Sequence, residues 1–250
     1  MKYLWISGIH PVEEALKLNP EAVVEVLVAR EGSVIEAIVE DSRRLNIPVK
    51  KVSPQSLHKI TGYKNHQGVA ARLESFHYTD LDDFLERVPE KPGLLILDCI
   101  QDPQNFGSIL RSAAFFGING IVLPEYRSVS VTPAVAKVAA GALGRVPVIR
   151  VKNLSRAVTA LKEKEILVIG LDAHTECSIY DLDLTVGVAF VIGNEHSGLR
   201  RKTRESCDTL ATIPRGGPME SLNAAVSAAV ACAELRRQRL ISGRTGVLQK

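Results

Sequence analysis

Cysteine is sparse and scattered in this chain. Cys99, Cys177, Cys207 and Cys232 lie far apart with no CxxC pair, which argues against a disulfide framework or a zinc site and fits free thiols in a reducing cytoplasm. Long apolar runs are missing as well, and none reaches the roughly 18 residues that a membrane span requires. The start, MKYLWISGIHPVEEAL, lacks a signal-peptide core and cleavage site and reads as folded protein. No excess of one charge stands out. A net charge of +3 permits nucleic-acid binding without being its footprint. Two local basic clusters, Arg200-Arg201-Lys202 with Arg204 and Arg236-Arg237 with Arg239, read as solvated helix faces. No G-x-G-x-x-G follows the first strand of the second half, and no G-x-x-x-x-G-K-[ST] occurs anywhere. A dinucleotide-binding oxidoreductase and a P-loop enzyme therefore both lack their motif. There is no cluster of metal-ligating residues.

What is present is an ordinary globular composition, 46% hydrophobic and 24% charged over 250 residues, enough for one large or two modest domains. Residues 1–74 alternate short helical and strand patterns: helix over Pro11–Leu18, strand over Val23–Ala29, and helix over Ser33–Leu45. In that last helix Val34, Ile35, Ile38, Val39 and Leu45 share a face. A strand at Val49–Val52, a short helix from Ser53-Pro54 and a strand over Gly68–Leu73 complete a small α/β unit. Residues 75–92 are acidic, carry one short amphipathic helix and end in Pro and Gly, so the domain boundary falls there.

From Gly93 to residue 250 strands and helices alternate. Apolar runs at Leu94–Asp98, Gly120–Leu123, Val146–Val151, Ile166–Leu171, Val188–Ile192 and Thr209–Ile213 read as parallel strands buried on both faces. Helices are predicted over Asn105–Phe116, Pro133–Leu143, Ser155–Lys164, Leu199–Cys207 and Ser221–Leu240. The fold class is α/β, with a small amino-terminal α/β domain and a second domain on a mostly parallel sheet. In such sheets ligands bind at the carboxyl ends of the strands. Three polar-glycine segments fall there: DPQNFGSILR, VIGNEHSGLRR and IPRGGPMESLNAAV. In the third, Gly216, Gly217 and Pro218 suit positive φ or close approach of a ligand, and Ser221 or Asn223 suits a helix cap. Asn105 is equally suited to capping its own helix, and Glu195 to pairing with Arg200 or Arg201. Arg111, inside an otherwise apolar helix, needs a partner or a role. The alanines 224, 225, 228, 229 and 233 leave the last helix with little bulk, for packing inside the chain or against a two-fold partner.

Three linked motifs carry a resemblance. Asn105-x-Gly107 with Arg111, Gly193-Asn194-Glu195 with Gly198-Leu199, and Ile213-Pro214 followed by Ser221-Leu222-Asn223 resemble, in order and spacing, those of the SpoU (TrmH-like) RNA 2′-O-methyltransferases of the SPOUT superfamily. Gly8–Leu16 and His66–Ala70 resemble the small substrate-binding domain of the branch that methylates a guanosine in 23S ribosomal RNA. The resemblance implies methyl transfer from S-adenosyl-L-methionine to a ribose 2′-hydroxyl, without a metal, by a homodimer whose residues 93–250 form a SPOUT domain with a carboxyl-terminal trefoil knot. Knots are nearly excluded by base rates, so this expectation rests on the resemblance alone. Residues 1–74 would bind the RNA, most simply 23S rRNA, and residues 75–92 would link the two. Cofactor contacts are implied at the backbone of Gly193, Ile213 and Leu222, and polar active-site roles at Asn105, Arg111, Glu195, Ser221 and Asn223. The family often assigns the arginine as a general base. Bringing an arginine from about 12.5 to 7 costs roughly 7 kcal/mol, so gripping a phosphate and stabilising an alkoxide suits Arg111 better. The sequence departs from the family at Arg215-Gly216, where apolar or small residues are common, and at Ala224-Ala225, where Val-Ser is common. A tRNA ribose 2′-O-methyltransferase and a catalytically weak RNA-binding assembly protein are the alternatives.

Overall fold

The computed structural model describes residues 3–18, 20–62, 65–74, 76–195 and 197–245. His196, inside the second polar-glycine segment, lies outside the described residues. The chain divides into two compact units, one of residues up to His77 with Ser130–Arg145, the other of Tyr78–Val129 with the remainder from Val146.

The first unit is built on a four-stranded mixed sheet. Strand β1 (Leu4–Ser7) leads through a glycine turn into helix α1 (Ile9–Leu18), and β2 (Val23–Val28) is followed by α2 (Ser33–Arg44). Then come β3 (Val49–Lys51), α3 (Pro54–Thr61) and β4 (Val69–Leu73), giving the sheet order β1-β4-β2-β3. Strand β4 runs antiparallel to both β1 and β2. Four residues, LWIS, are too short to show a period, and β1 has no signature in the sequence. In α2 the buried positions are Ile35, Ile38 and Ser42. Val34 and Leu45, expected on that face, are instead exposed, because the stripe follows the i, i+3, i+7 positions. Helix α3 begins where Ser53 accepts from the Ser56 amide, with Pro54 in its first turn.

The second unit opens with α4 (Leu81–Arg87), capped by Asp80, and β5 (Gly93–Leu97). Next come α5 (Pro103–Phe116) and β6 (Gly120–Pro124). The segment after β6 forms α6 (Pro133–Ala139), which packs in the first unit with Ala136, Val131 and Leu143 against the Ile6 and Val12 core. Strand–helix alternation alone places it in the other unit. The chain then continues through β7 (Val148–Val151), α7 (Leu154–Glu163), β8 (Leu167–Leu171) and β9 (Val188–Ile192). It ends with α8 (Arg201–Ser206), β10 (Thr209–Ala211) and α9 (Ala224–Thr245). All six strands are parallel, in the order β10-β8-β9-β5-β6-β7.

Residues on both faces of the central strands are buried, which is why these strands read as continuous apolar runs. Leu94, Ile96, Val122 and Val191 pack with Leu154, Val158 and Leu161 of α7 and with Phe84 of α4. Helices α5 and α9 pack together, and α9 also meets β5 and β9. Ala224, Ala225 and Ala228 are buried within the chain, while Ala229 and Ala233 are half-buried. The buried alanines of α9 thus serve close packing inside the chain. Its far half is fixed by Arg239, which donates to the carbonyls of Pro92, Leu184 and Val186. Among the described residues no helix is long and apolar enough to cross a membrane.

Candidate active site

Strand β5 ends at Leu97, Asp98 follows it fully buried, and the chain turns at Cys99 with a left-handed φ of 62°. Asp102 then caps α5, accepting from the Gln104 amide at 3.0 Å, with Pro103 in the first turn. The capping role considered for Asn105 is therefore already filled. Asp followed by Pro ahead of an apolar helix was a legible signal for it. Asn105 turns its side chain outward, donating to Glu195 Oε1 at 2.9 Å and accepting from Asn223 Nδ2 at 2.9 Å.

Glu195 comes from the loop after β9. That loop is a tight hairpin in which Asn194 and Gly198 exchange backbone hydrogen bonds of 3.1 and 2.8 Å. A Cβ on Gly193 would lie 2.4 Å from the Gly198 carbonyl carbon and 2.6 Å from the Leu199 nitrogen, so only glycine fits. Asn194 Nδ2 donates to the Cys99 carbonyl at 3.2 Å. Beyond the hairpin, the Arg200 backbone and Nε donate to the two oxygens of Asp98 at 2.9 and 2.5 Å. Sequence reasoning offered Arg200 or Arg201 as partners for Glu195 and read the basic run as a solvated face. Arg200 belongs to Asp98, Arg204 to Asp172 at 2.6 Å, and Arg201 faces Glu205 at 3.8 Å. A buried carboxylate needs such a partner, and the pair leaves no local sequence pattern because its cation lies 102 residues away.

The third loop leads from β10 to α9. Asn223, not Ser221, caps α9: its Oδ1 accepts from the amides of Ala225 at 2.9 Å and Val226 at 3.3 Å. The helix accordingly starts at Ala224, three residues later than expected. Its Nδ2 points the other way and donates to both Asn105 and Glu195. Glu195 Oε1 also accepts from the Ala224 amide at 3.2 Å, placing a carboxylate on the positive end of α9. Asn105 in the first turn of α5, Glu195 in the loop after β9 and Asn223 at the start of α9 are thus joined directly. Gly216 and Gly217 do not have positive φ, and a Cβ on either meets nothing within 4 Å.

Beside this cluster opens a pocket of about 740 Å³, within the range of small-molecule and cofactor sites. Its walls include Leu171, Ile192, Gly193, Leu199, Ile213 and Leu222, and Glu195 and Ser221 also line it. Asn105, Asn223 and Arg111 are not in the lining. The backbone amides of 215–217 and 219–222 take no hydrogen-bond partner among the described residues. An apolar slot edged by free backbone amides fits a nucleoside-bearing cofactor. Arg111 is exposed, six residues beyond Asn105 on α5, and forms no hydrogen bond or ion pair among the described residues. The structure does not join it to the cluster.

The chain matches the SpoU rRNA Methylase family over residues 92–233, more than half its length. It belongs to that family. Residues 5–79 match the RNA 2′-O ribose methyltransferase substrate-binding family. A SpoU relative from Xylella fastidiosa, 23S rRNA (guanosine-2′-O-)-methyltransferase RlmB, is 42% identical over 245 residues, covering 96% of this chain and 98% of that protein. The protein of the same name from Neisseria meningitidis is 39% identical over 239 residues, covering 94% and 96%. Among solved structures, the SpoU methyltransferase AviRb from Streptomyces viridochromogenes superposes with a TM-score of 0.84 at 27% identity, covering 96% of this chain and 91% of that one. The same enzyme in complex with the cofactor AdoMet gives 0.82.

Proposed function

We propose that this SpoU protein transfers a methyl group from S-adenosyl-L-methionine to the ribose 2′-hydroxyl of a guanosine in 23S ribosomal RNA. One observation carries the reading: Glu195 lines the cofactor-sized pocket and at the same time accepts from Asn105 and Asn223, so pocket and polar cluster share a side chain. The relatives named RlmB supply the substrate class.

In this reading Gly193, Ile213 and Leu222 hold the cofactor through their backbone, which supplies an electrophilic methyl group and leaves the protein to position the nucleophile. In-line positioning to about 3–3.5 Å provides much of the rate. Asn105 and Asn223, locked by Glu195 and the α9 cap, present fixed polar groups. Ser221, on the pocket wall without a partner among the described residues, is free to meet the ribose. Arg111, exposed and unpaired among the described residues, grips a phosphate and steadies the developing oxyanion. Residues 1–74 capture the RNA, 75–92 connect, and 93–250 carry the chemistry, with the three loops crossing as a trefoil knot. The active form is a cytoplasmic homodimer. Exposed apolar side chains on α5 and α9 support that assembly, among them Phe115 at 82% exposure, Val226 and Leu240.

The test is to map ribose methylation in RNA from cells with and without the gene, alongside transfer by the purified protein. One 23S guanosine should lose its methyl group without the gene. Loss in tRNA instead would favour the tRNA alternative, and no loss in either would refute the reading.

A further inference from the structure

The loop after β6, Glu125–Val129, is pinned at both ends. Glu125 N donates to the Val151 carbonyl at 2.8 Å, and Arg150 Nη2 donates to the Glu125 carbonyl at 3.1 Å. At the other end Ser128 Oγ and Val129 N both donate to the Ile100 carbonyl, at 3.3 and 2.8 Å. Between these anchors Tyr126 and Arg127 point outward. Tyr126 is 68% exposed, the most exposed tyrosine among the described residues. Arg127 has a left-handed φ of 58°, uncommon for a non-glycine residue. Neither side chain has a hydrogen-bond or ion-pair partner among the described residues.

The position of this loop matters. Ile100 belongs to the 98–102 turn, and the Cys99 carbonyl in that turn also holds Asn194 of the Glu195 hairpin. The Tyr126 loop and the Glu195 loop therefore sit on opposite flanks of one turn, at the same carboxyl edge of the sheet. That turn also launches α5 and its Asn105. An exposed ring beside an unpaired guanidinium, held by a rigid backbone, matches the two faces of a single-stranded nucleotide: a base to stack and a phosphate to pair.

We infer that Tyr126 and Arg127 form an RNA contact next to the methylated nucleotide, with Tyr126 stacking on a flanking base and Arg127 binding its phosphate. This rests on the function proposed above.

The test is single-turnover transfer of labelled methyl groups from S-adenosyl-L-methionine to a 23S rRNA fragment at varied RNA concentration. Wild-type protein is compared with Tyr126→Ala, Tyr126→Phe and Arg127→Asn, the last a residue that tolerates the left-handed backbone. Tyr126→Ala should raise the half-saturating RNA concentration roughly 5- to 150-fold, while Tyr126→Phe stays close to wild type. Arg127→Asn should weaken RNA binding and reduce the slope of log affinity against log salt by about 1. Cofactor affinity by calorimetry, melting temperature and the rate at saturating RNA should stay unchanged in all three. Unchanged RNA half-saturation in Tyr126→Ala and Arg127→Asn beside an active wild type overturns the inference. So does a shift of Tyr126→Ala between dimer and monomer, which would assign this surface to a second copy of the chain. A wild-type protein that methylates no rRNA fragment overturns the functional reading itself, and this inference with it.

Discussion

Replacing Gly193 with alanine tests whether the hairpin after β9 holds the site together. The added Cβ would stand 2.4–2.6 Å from the Gly198 and Leu199 backbone, and backbone cannot yield as a flexible side chain can. The hairpin has to open. Opening breaks the two Asn194–Gly198 hydrogen bonds and the Asn194 contact to Cys99, at about 0.5–1.5 kcal/mol each. Glu195 then loses its place on the first turn of α9, worth roughly 1 kcal/mol more. The sum is roughly 2.5–5.5 kcal/mol, a large share of the 5–15 kcal/mol typical of a domain. At about 2–4 °C per kcal/mol, the melting temperature should fall by roughly 5–22 °C. Calorimetric titration should show S-adenosyl-L-methionine affinity falling by about tenfold or more, since 1.4 kcal/mol is a factor of ten. Gly216→Ala is the control for melting alone, because a Cβ there meets nothing within 4 Å of the protein. If Gly193→Ala melts within about 2 °C of wild type and keeps its affinity, where one kcal/mol alone moves Tm that far, the steric reasoning is wrong.

Two further outcomes follow from ionisable groups. Burial pushes the Cys207 thiol up to about 11 and the Cys232 thiol up to about 12, so both stay protonated at neutral pH and the reactive thiolate is scarce. Iodoacetamide at pH 7.5 followed by mass spectrometry should leave both unmodified until the protein is unfolded, and rapid native labelling of Cys232 would contradict its burial. The Glu234 carboxyl is held below its usual range, chiefly by the Arg237 hydrogen bond and also by Gln238. Its contribution to stability is therefore present above the unfolded value of about 4.3 and lost as pH falls through the lower folded value. Glu234→Gln should destabilise at pH 7 and flatten the acid limb of the stability profile, and an unchanged limb would count against the linkage.

Much of the second unit was legible because strands buried on both faces leave uninterrupted apolar runs. Val188–Ile192 coincides with its strand, and three polar-glycine segments at strand ends pointed to the site before any contact was known. What was hidden depends on long-range pairing. Neither the Asp98–Arg200 pair nor the packing of Ala136 on the Ile6 core leaves a local pattern. The role of Asn105 was ambiguous for a different reason. Asparagine is a good cap, and only the Asp102-Pro103 step upstream shows that the post is taken. Likewise Ser221 and Asn223 are equally good caps by type, and geometry alone chose the second.

That choice restricts which residues position 223 can accept. The carbonyl end of Asn223 starts a helix, and its amide end ties together two loops of the site. Aspartate would keep the first task but has no proton for the second, and would set a second carboxylate against Glu195. Serine could serve the cap but is too short to reach Asn105 as well. Drift at this site is therefore constrained from two directions at once, by folding and by the arrangement of the cluster. A population of variants selected only for solubility should admit aspartate and serine there, whereas one selected for activity should retain asparagine.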